Sequence, residues 1–317
     1  MRAASKFSAR DLYLLDHTYG RLIGDMVLHF CQREEIRPAL IAWHGHTIFH
    51  DPNQGASLQI GHGAEVAAKL NIPTVCQFRQ MDMALGGQGA PLAPLADEML
   101  LPKADYYINL GGICNISFIE QGVRRSMDVC ACNQILDRLV NQIGLPYDDK
   151  GKLAASGQLN QELFAHLEQW SYLQHPYPKS LDNTQVMSDL WPMVSKSGAG
   201  LEDMLHTFCR HVASQLSRVI NNSRYPNSSS VKLAITGGGA FNEYLMNCIQ
   251  LALADLDPVI LPLSREVIAF KEAALIGLMG YLHMKKLPNV IGSSTGSYTD
   301  HIAGCLYPTW STTHQYE

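Results

Sequence analysis

The sequence predicts an α/β protein of two lobes with a helical insert. Three observations carry this. Short apolar runs alternate with helical periods in both halves of the chain, residues 134–225 are mostly helical in period, and four of the short runs end in glycine-rich or polar loops at 43–47, 86–91, 109–115 and 236–242. With 317 residues, 46% of them hydrophobic and 17% charged, the chain suits two domains or one large one and has the apolar material for a sizeable core.

The elements follow in order. Leu12, Leu15, Tyr19, Ile23, Met26, Val27 and Phe30 recur at helical spacing, so the first thirty residues predict a helix. ALIAWHG (39–45) is a short apolar run ending in His-Gly, as a buried strand entering a loop does. SLQIGHG (57–63) is a similar segment. GAEVAAKLN reads as a helix and IPTVCQF as a strand, and GGQGAPLAP (86–94) is too rich in Gly and Pro to be regular. DYYINLGGICNISFIE (105–120) predicts two strands about a Gly-Gly turn. In the helical stretch, Leu201, Leu205, Phe208, Val212, Leu216 and Val219 share one face. KLAITGGGAFN is strand, loop and helix start, PVILPL (258–263) is a strand, and FKEAALIGLMGYLHM is a final apolar helix. No internal repeat or low-complexity tract interrupts the pattern.

Bulk properties narrow the partners. A net charge of −5 argues against nucleic acid and anionic membranes, which select a basic face. No run approaches the ~18 apolar residues of a membrane span, and the start lacks the apolar core of a signal peptide. The expectation is a cytoplasmic protein. Of eight cysteines, Cys31, Cys76, Cys114, Cys209, Cys248 and Cys305 are scattered among apolar neighbours and are expected as buried free thiols. Cys130 and Cys132 form a C-x-C with no second pair at zinc spacing, so no metal is assigned to them.

The glycine loops carry the chemistry. A single strand-to-glycine turn is usually structural. Four in one chain suit a sheet whose strand ends gather about a ligand, since glycine lets backbone N–H groups approach phosphate oxygens. Neither a G-x-x-x-x-G-K-[ST] loop nor an early G-x-G-x-x-G is present, which sets aside Walker and Rossmann sites. Glycine hairpins that hold phosphates also occur in the two-lobed actin-like fold of sugar kinases, where an aspartate in the cleft takes a proton from the acceptor. Asp128, in SMDVCACN, is the candidate. It is placed at a strand-to-helix junction, where an aspartate is equally at home as a helix N-cap.

Several motifs in order resemble the anhydro-N-acetylmuramic acid kinases: WHGHTIFHDPNQGASLQIGHGAEVAAKLNIPTVCQFRQMDMALGGQGAPLAP, then NLGGICNIS, YDDKGKLAASG, PYPKSL, ITGGGAFN and FKEAALIGLMGYL, spanning about 20 to 310. The resemblance implies an α/β, two-lobed actin-like ATPase fold. It also implies ATP- and Mg²⁺-dependent hydrolysis of the 1,6-anhydro bond with phosphorylation at O6, giving N-acetylmuramic acid 6-phosphate for cell-wall recycling. It maps the catalytic base to Asp128, which would take a proton from the water attacking the anomeric carbon. It places Gly237, Gly238, Gly239 and Asn242 on the nucleotide, with Gly111, Gly112 and Asn115 near the phosphates. His44, His46, Thr47, Asp82 and Gln88 would lie near the sugar, whereas His50 and His62 serve equally as loop-stabilising residues. Lobes are expected at 1–127 and 128–317, and the family suggests a homodimer.

Departures from the family are also legible. The opening strand and G-x-M-S-G-T-S-x-D-G loop of the family have no counterpart, so the first lobe is expected to be truncated at its N-terminus, and the alternative is an inactive or truncated relative that only binds sugar or nucleotide. Gln77 replaces the Asp of D-F-R, which would remove a carboxylate orienting Arg79. ACN replaces P-G-N, and KSLDN lacks the glycine common after P-K-S.

Overall fold

The computed structural model describes residues 7–177, 179–223 and 230–310. Pro178 of PYPKSL and residues 224–225 at the end of the helical stretch lie outside them. In chain order the elements used below are α1 (Ala9–Arg33), β1 (Ile41–Trp43), β2 (His46–Asp51), β3 (Ala56–Ile60), α2 (Gly63–Leu70), β4 (Thr74–Cys76), α3 (Gln80–Ala84), α4 (Ala93–Leu100), β5 (Tyr106–Leu110), β6 (Ile113–Glu120), β7 (Val123–Ala131), α5 (Asn133–Asn141), α6 (Lys152–Ser156) and α7 (Gln161–Glu168). There follow the helix Leu201–Asn222, β8 (Val231–Thr236), the helix Glu243–Ala252, β9 (Pro258–Ile260), the helix Arg265–Met284 and β10 (Cys305–Tyr307).

The chain forms two compact units. The first runs to Ala96 and resumes at Glu272; the second is Asp97–Lys271. The division therefore differs from the expected break at 127/128. The reason is hydrogen bonding, because β5, β6 and β7 form a continuous antiparallel meander that cannot be divided between units without breaking its ladders.

In the first unit, Ser8 caps α1 by accepting the Asp11 N–H at 3.2 Å. The sheet order is β1-β4-β10, with β1 parallel and β10 antiparallel to β4. β2 and β3 make a separate hairpin. The sequence reading passed over β2, an exposed strand without an apolar run, and β10, which is only three residues long. The core joins Val75, Phe78, Leu92 and Leu95 to Leu275, Met279 and Leu282 of the last long helix. That helix, Arg265–Met284, is by length and composition apolar enough to cross a membrane, contrary to the reading that no run approaches one; Lys271 and Glu272 interrupt it.

The second unit holds the larger core. Its sheet order is β7-β6-β5-β8-β9, with the meander followed by two parallel strands. Ile108, Leu110, Cys114 and Ile116 meet Leu205, Phe208, Val212 and Leu216, the stripe that the helical period had singled out. Cys130 and Cys132 are buried here as free thiols. Cys31 is half-buried and Cys305 exposed, so the expectation of burial does not hold for those two.

The opposite face of this sheet is polar. Asp97 accepts from Ser117 Oγ at 2.9 Å and from Lys271 Nζ at 3.0 Å, and both charged side chains are only 5% exposed. Arg124 lies beside them, its guanidinium over the Tyr107 ring and against Glu98.

Candidate functional site

Strand register builds one group of candidate residues, in the second unit. Thr236 pairs with Asn109, Asn109 with Asn115, and Asn115 with Asp128, so four polar residues cross β8, β5, β6 and β7 in one row. Directly opposed residues put their side chains on the same face. A bulge in the β6–β7 ladder follows this row, with Val129 the extra residue between the pairs Asn115–Asp128 and Cys114–Cys130. Such bulges re-aim side chains beside active sites.

Asp128 is therefore inside β7, not at a helix start. The N-cap of α5 is Cys132, and the helix N-terminus is satisfied by the hairpin instead: Cys132 and Gln134 donate to the Gly112 carbonyl at 2.8 and 3.1 Å, and Asn133 to that of Gly111 at 3.1 Å. This removes the capping role that the sequence left open for Asp128. The segment after α7 holds the residue in place. Tyr172 donates to its carbonyl at 2.8 Å, its N–H donates to the Lys179 carbonyl at 3.2 Å, and the Leu181 N–H donates to Oδ2 at 2.8 Å. Burial raises its pKa to about 6, against the Leu181 hydrogen bond and the charge of Lys179, which lower it. A carboxylate tuned in this way can take up a proton near neutral pH.

The glycine loops flank the row. A Cβ on Gly237 would come within 2.6 Å of Asn109 Oδ1 and 2.7 Å of the Leu110 carbonyl, and one on Gly239 within 2.7 Å of Leu110 Cβ. These two glycines are demanded by close packing on β5. Gly238 is different: it is exposed, and its nearest neighbour would be Asn133 Nδ2 at 3.4 Å. Gly111 is half-buried and Gly112 exposed at the hairpin turn. Asn133, which the sequence reading quoted only within ACN, donates to the Leu110 carbonyl at 2.8 Å and underlies the triple-glycine loop. Asn242 caps the helix Glu243–Ala252 by accepting the Leu245 N–H at 2.9 Å, so its Oδ1 is already engaged. YDDKGKLAASG braces this loop. Gly151 approaches Asn242 too closely for any side chain, and Asp148 accepts the N–H groups of Leu153 and Ala154 at 3.0 and 2.9 Å.

The first unit carries the second group. His44 accepts from Arg79 Nε at 2.9 Å through Nε2, which leaves Nδ1 as the donor to the Gly45 carbonyl at 2.9 Å. Burial, then the charge of Arg79, lowers the His44 pKa and keeps the ring neutral. Arg79 Nη1 donates to the Gly89 carbonyl at 2.6 Å. The missing carboxylate at Gln77 thus leaves Arg79 held by His44 and the glycine loop. Asp82 is fully buried. Its Oδ2 accepts the Gly89 N–H and its Oδ1 the Thr295 hydroxyl, both at 2.6 Å, with His301 Nε2 at 3.7 Å. A Cβ on Gly87 would collide with this carboxylate. Asp82 stands behind the GGQGAP loop as its anchor, rather than on its surface. Gln88 is half-buried and donates its N–H to the Thr295 carbonyl at 2.9 Å. His46 and Thr47 are exposed on β2, and Gln59 donates to Thr47 Oγ1 at 3.4 Å. Sequence reasoning missed Thr295 and His301, because no local pattern links them to a loop two hundred residues earlier.

In the second unit Gly238 and Gly112 leave exposed backbone at the two loops. Among the described residues no three His, Cys, Asp or Glu side chains converge on one point.

An α/β chain with a strand-borne carboxylate and two backbone loops about it has the parts of a phosphoryl-transfer enzyme. Comparison gives the family. The family model described as anhydro-N-acetylmuramic acid kinase matches residues 3–309, and the chain belongs to that family. The anhydro-N-acetylmuramic acid kinase of Vibrio vulnificus (strain YJ016) is 31% identical over 93% of this chain and 82% of its own length. That of Hydrogenovibrio crunogenus is 34% identical over 84% of this chain and 73% of its own. Among solved structures, the activator of the 2-hydroxyisocaproyl-CoA dehydratase from Clostridium difficile is 13% identical, covering 63% of this chain and 69% of its own, with a TM-score of 0.37. The family is one of kinases, so the enzyme class is phosphotransferase.

Proposed function

We propose that the protein uses ATP to open the 1,6-anhydro bond of anhydro-N-acetylmuramic acid and phosphorylates O6, giving N-acetylmuramic acid 6-phosphate in the cytoplasm for peptidoglycan turnover. The observation that carries this reading is Asp128: a half-buried carboxylate in a row with Asn115, Asn109 and Thr236, its pKa raised to about 6 and its backbone clamped from both sides.

In this reading Asp128 accepts a proton from the water that attacks the anomeric carbon. The C1–O6 bond breaks as the C1–O bond to water forms, and O6 takes the γ-phosphoryl group while ADP leaves. Phosphoryl transfer asks the protein mainly for position and charge. Gly238, with Gly237 and Gly239 behind it and Asn242 fixing the helix start, admits the nucleotide. Gly111, Gly112 and Asn115 face its phosphates. His44, His46, Thr47 and Gln88 serve the sugar, with Asp82 holding the loop that bears Gln88. Mg²⁺ supplies charge neutralisation on the phosphates.

Mass spectrometry of the product tests the reaction. The expected product has gained one water and one phosphoryl group. A product that gains the phosphoryl group alone overturns the coupled hydrolysis. A folded chain that binds sugar and ATP without turnover is the binding-only relative instead.

A further inference from the structure

A second pocket lies in the Asp97–Lys271 unit, on the face of β7 away from Asp128. Strand alternation puts Asp128 on the side of Ser126 and Arg124, whereas Arg125 and Met127 point the other way, Arg125 opposite Phe118. On that side a pocket of about 280 Å³ opens between the ends of β6 and β7, the residues Leu173, His175, Tyr177 and Lys179, and the last turns of the helix Leu201–Asn222. At the liquid share of about 30 Å³ each, it holds roughly nine waters.

Its lining is unusual for a chain of net charge −5. Arg125, Lys179 and Arg218 all line it, and Glu120 is its one carboxylate. Glu120 lies 3.3 Å from Arg125 Nε, yet that buried nitrogen has no hydrogen-bond acceptor. Among the described residues neither Arg218 nor Lys179 makes an ion pair, and the Lys179 ammonium rests over the Tyr172 ring at 4.6 Å. Three cations gathered about one carboxylate cost free energy unless something more anionic joins them. Burial lowers the Lys179 pKa and repulsion from Arg218 adds to the lowering, while the Asp128 carboxylate opposes it. The walls are aromatic: Phe118 lines one side, and the Tyr177 ring stacks under the Arg125 guanidinium at 4.9 Å.

We propose that this pocket binds a small organic phosphate, its oxygens held by Arg125, Lys179 and Arg218 and its body against Phe118 and Tyr177. The arginines suit an oxyanion because each presents a planar fork of donors. The size suits a monosaccharide phosphate. The site is separate from the proposed reaction centre, although both touch the 179–181 segment: the Lys179 carbonyl accepts the Asp128 N–H.

Calorimetric titration of the whole chain with glucose 6-phosphate tests this, with glucose and inorganic phosphate as reference probes. Saturable binding is expected for glucose 6-phosphate, weaker binding for inorganic phosphate and none for glucose. Arg218 is exposed, so Arg218→Ala is expected to keep the wild-type melting temperature and to weaken glucose 6-phosphate about tenfold, the loss of one charge-assisted contact. Arg125→Gln should do the same. No saturable binding into the millimolar range overturns the proposal. So does binding that survives both Arg218→Ala and Arg125→Gln, since the anion then sits elsewhere.

Discussion

At Asp128 two demands meet on one carboxylate. Burial favours its neutral form, and base chemistry requires the charged one. With the folded pKa raised from 3.8 to about 6, the residue supports the fold most below the unfolded pKa and loses that support as pH rises through about 6. Asp128→Asn keeps an acceptor for the Leu181 N–H and removes the buried charge. It is expected to melt no lower than wild type at pH 8, while losing turnover by roughly 10²–10⁴-fold. In the wild type, kcat/KM should rise with pH through about 6, read from a pH–rate profile. A profile flat from pH 5 to 8 (a range set by the general-base argument) contradicts the assignment. The glycines separate in the same way. Gly238→Ala has room for its methyl and should weaken nucleotide binding with little change in melting temperature; Gly239→Ala drives a methyl onto Leu110 and should destabilise the fold by about 1–3 kcal/mol. The sequence alone marked all three glycines for nucleotide. Only the distances to Asn109 and Leu110 show that two of them have a packing duty first.

At the scale of elements, the strand-loop-helix units around Gly111 and Gly237 were legible because apolar runs and glycines are local signals. β7 was not. Its face bearing Arg124, Ser126 and Asp128 is polar yet largely buried, so the alternation that marks a half-exposed strand is disguised. Asp97 on α4 explains that burial, since it gathers Ser117 and Lys271 beneath the sheet. Asp97→Ala leaves Lys271 buried without a partner and is expected to cost about 3–5 kcal/mol in urea unfolding; Lys271→Met in the same chain should recover a large part. Equal stability of the single and double variants contradicts this. The α3 carboxylate acts likewise on its loop: Asp82→Ala strands the Gly89 N–H and the Thr295 hydroxyl, and should destabilise by about 2–4 kcal/mol, with faster hydrogen exchange confined to residues 86–91 and 292–301.

At the scale of the molecule, the family and the α/β class were legible from ordered motifs, and the boundaries of the units were not. A chain that leaves one unit at Ala96 and returns at Glu272 closes its first core with residues far apart in sequence, such as Phe78 and Leu275. No composition shift records such a return. The account turns on whether this chain, with Asp128 in its row, performs the phosphotransfer of its family. The direct measurement is ATP-dependent turnover of anhydro-N-acetylmuramic acid by the 317-residue chain beside Asp128→Asn, with ATP binding followed for both by calorimetry. The account predicts turnover by the wild type alone, with equal nucleotide affinity in the two proteins. Turnover by Asp128→Asn at the wild-type rate, or none by a wild-type chain that is folded and binds both substrates, contradicts it.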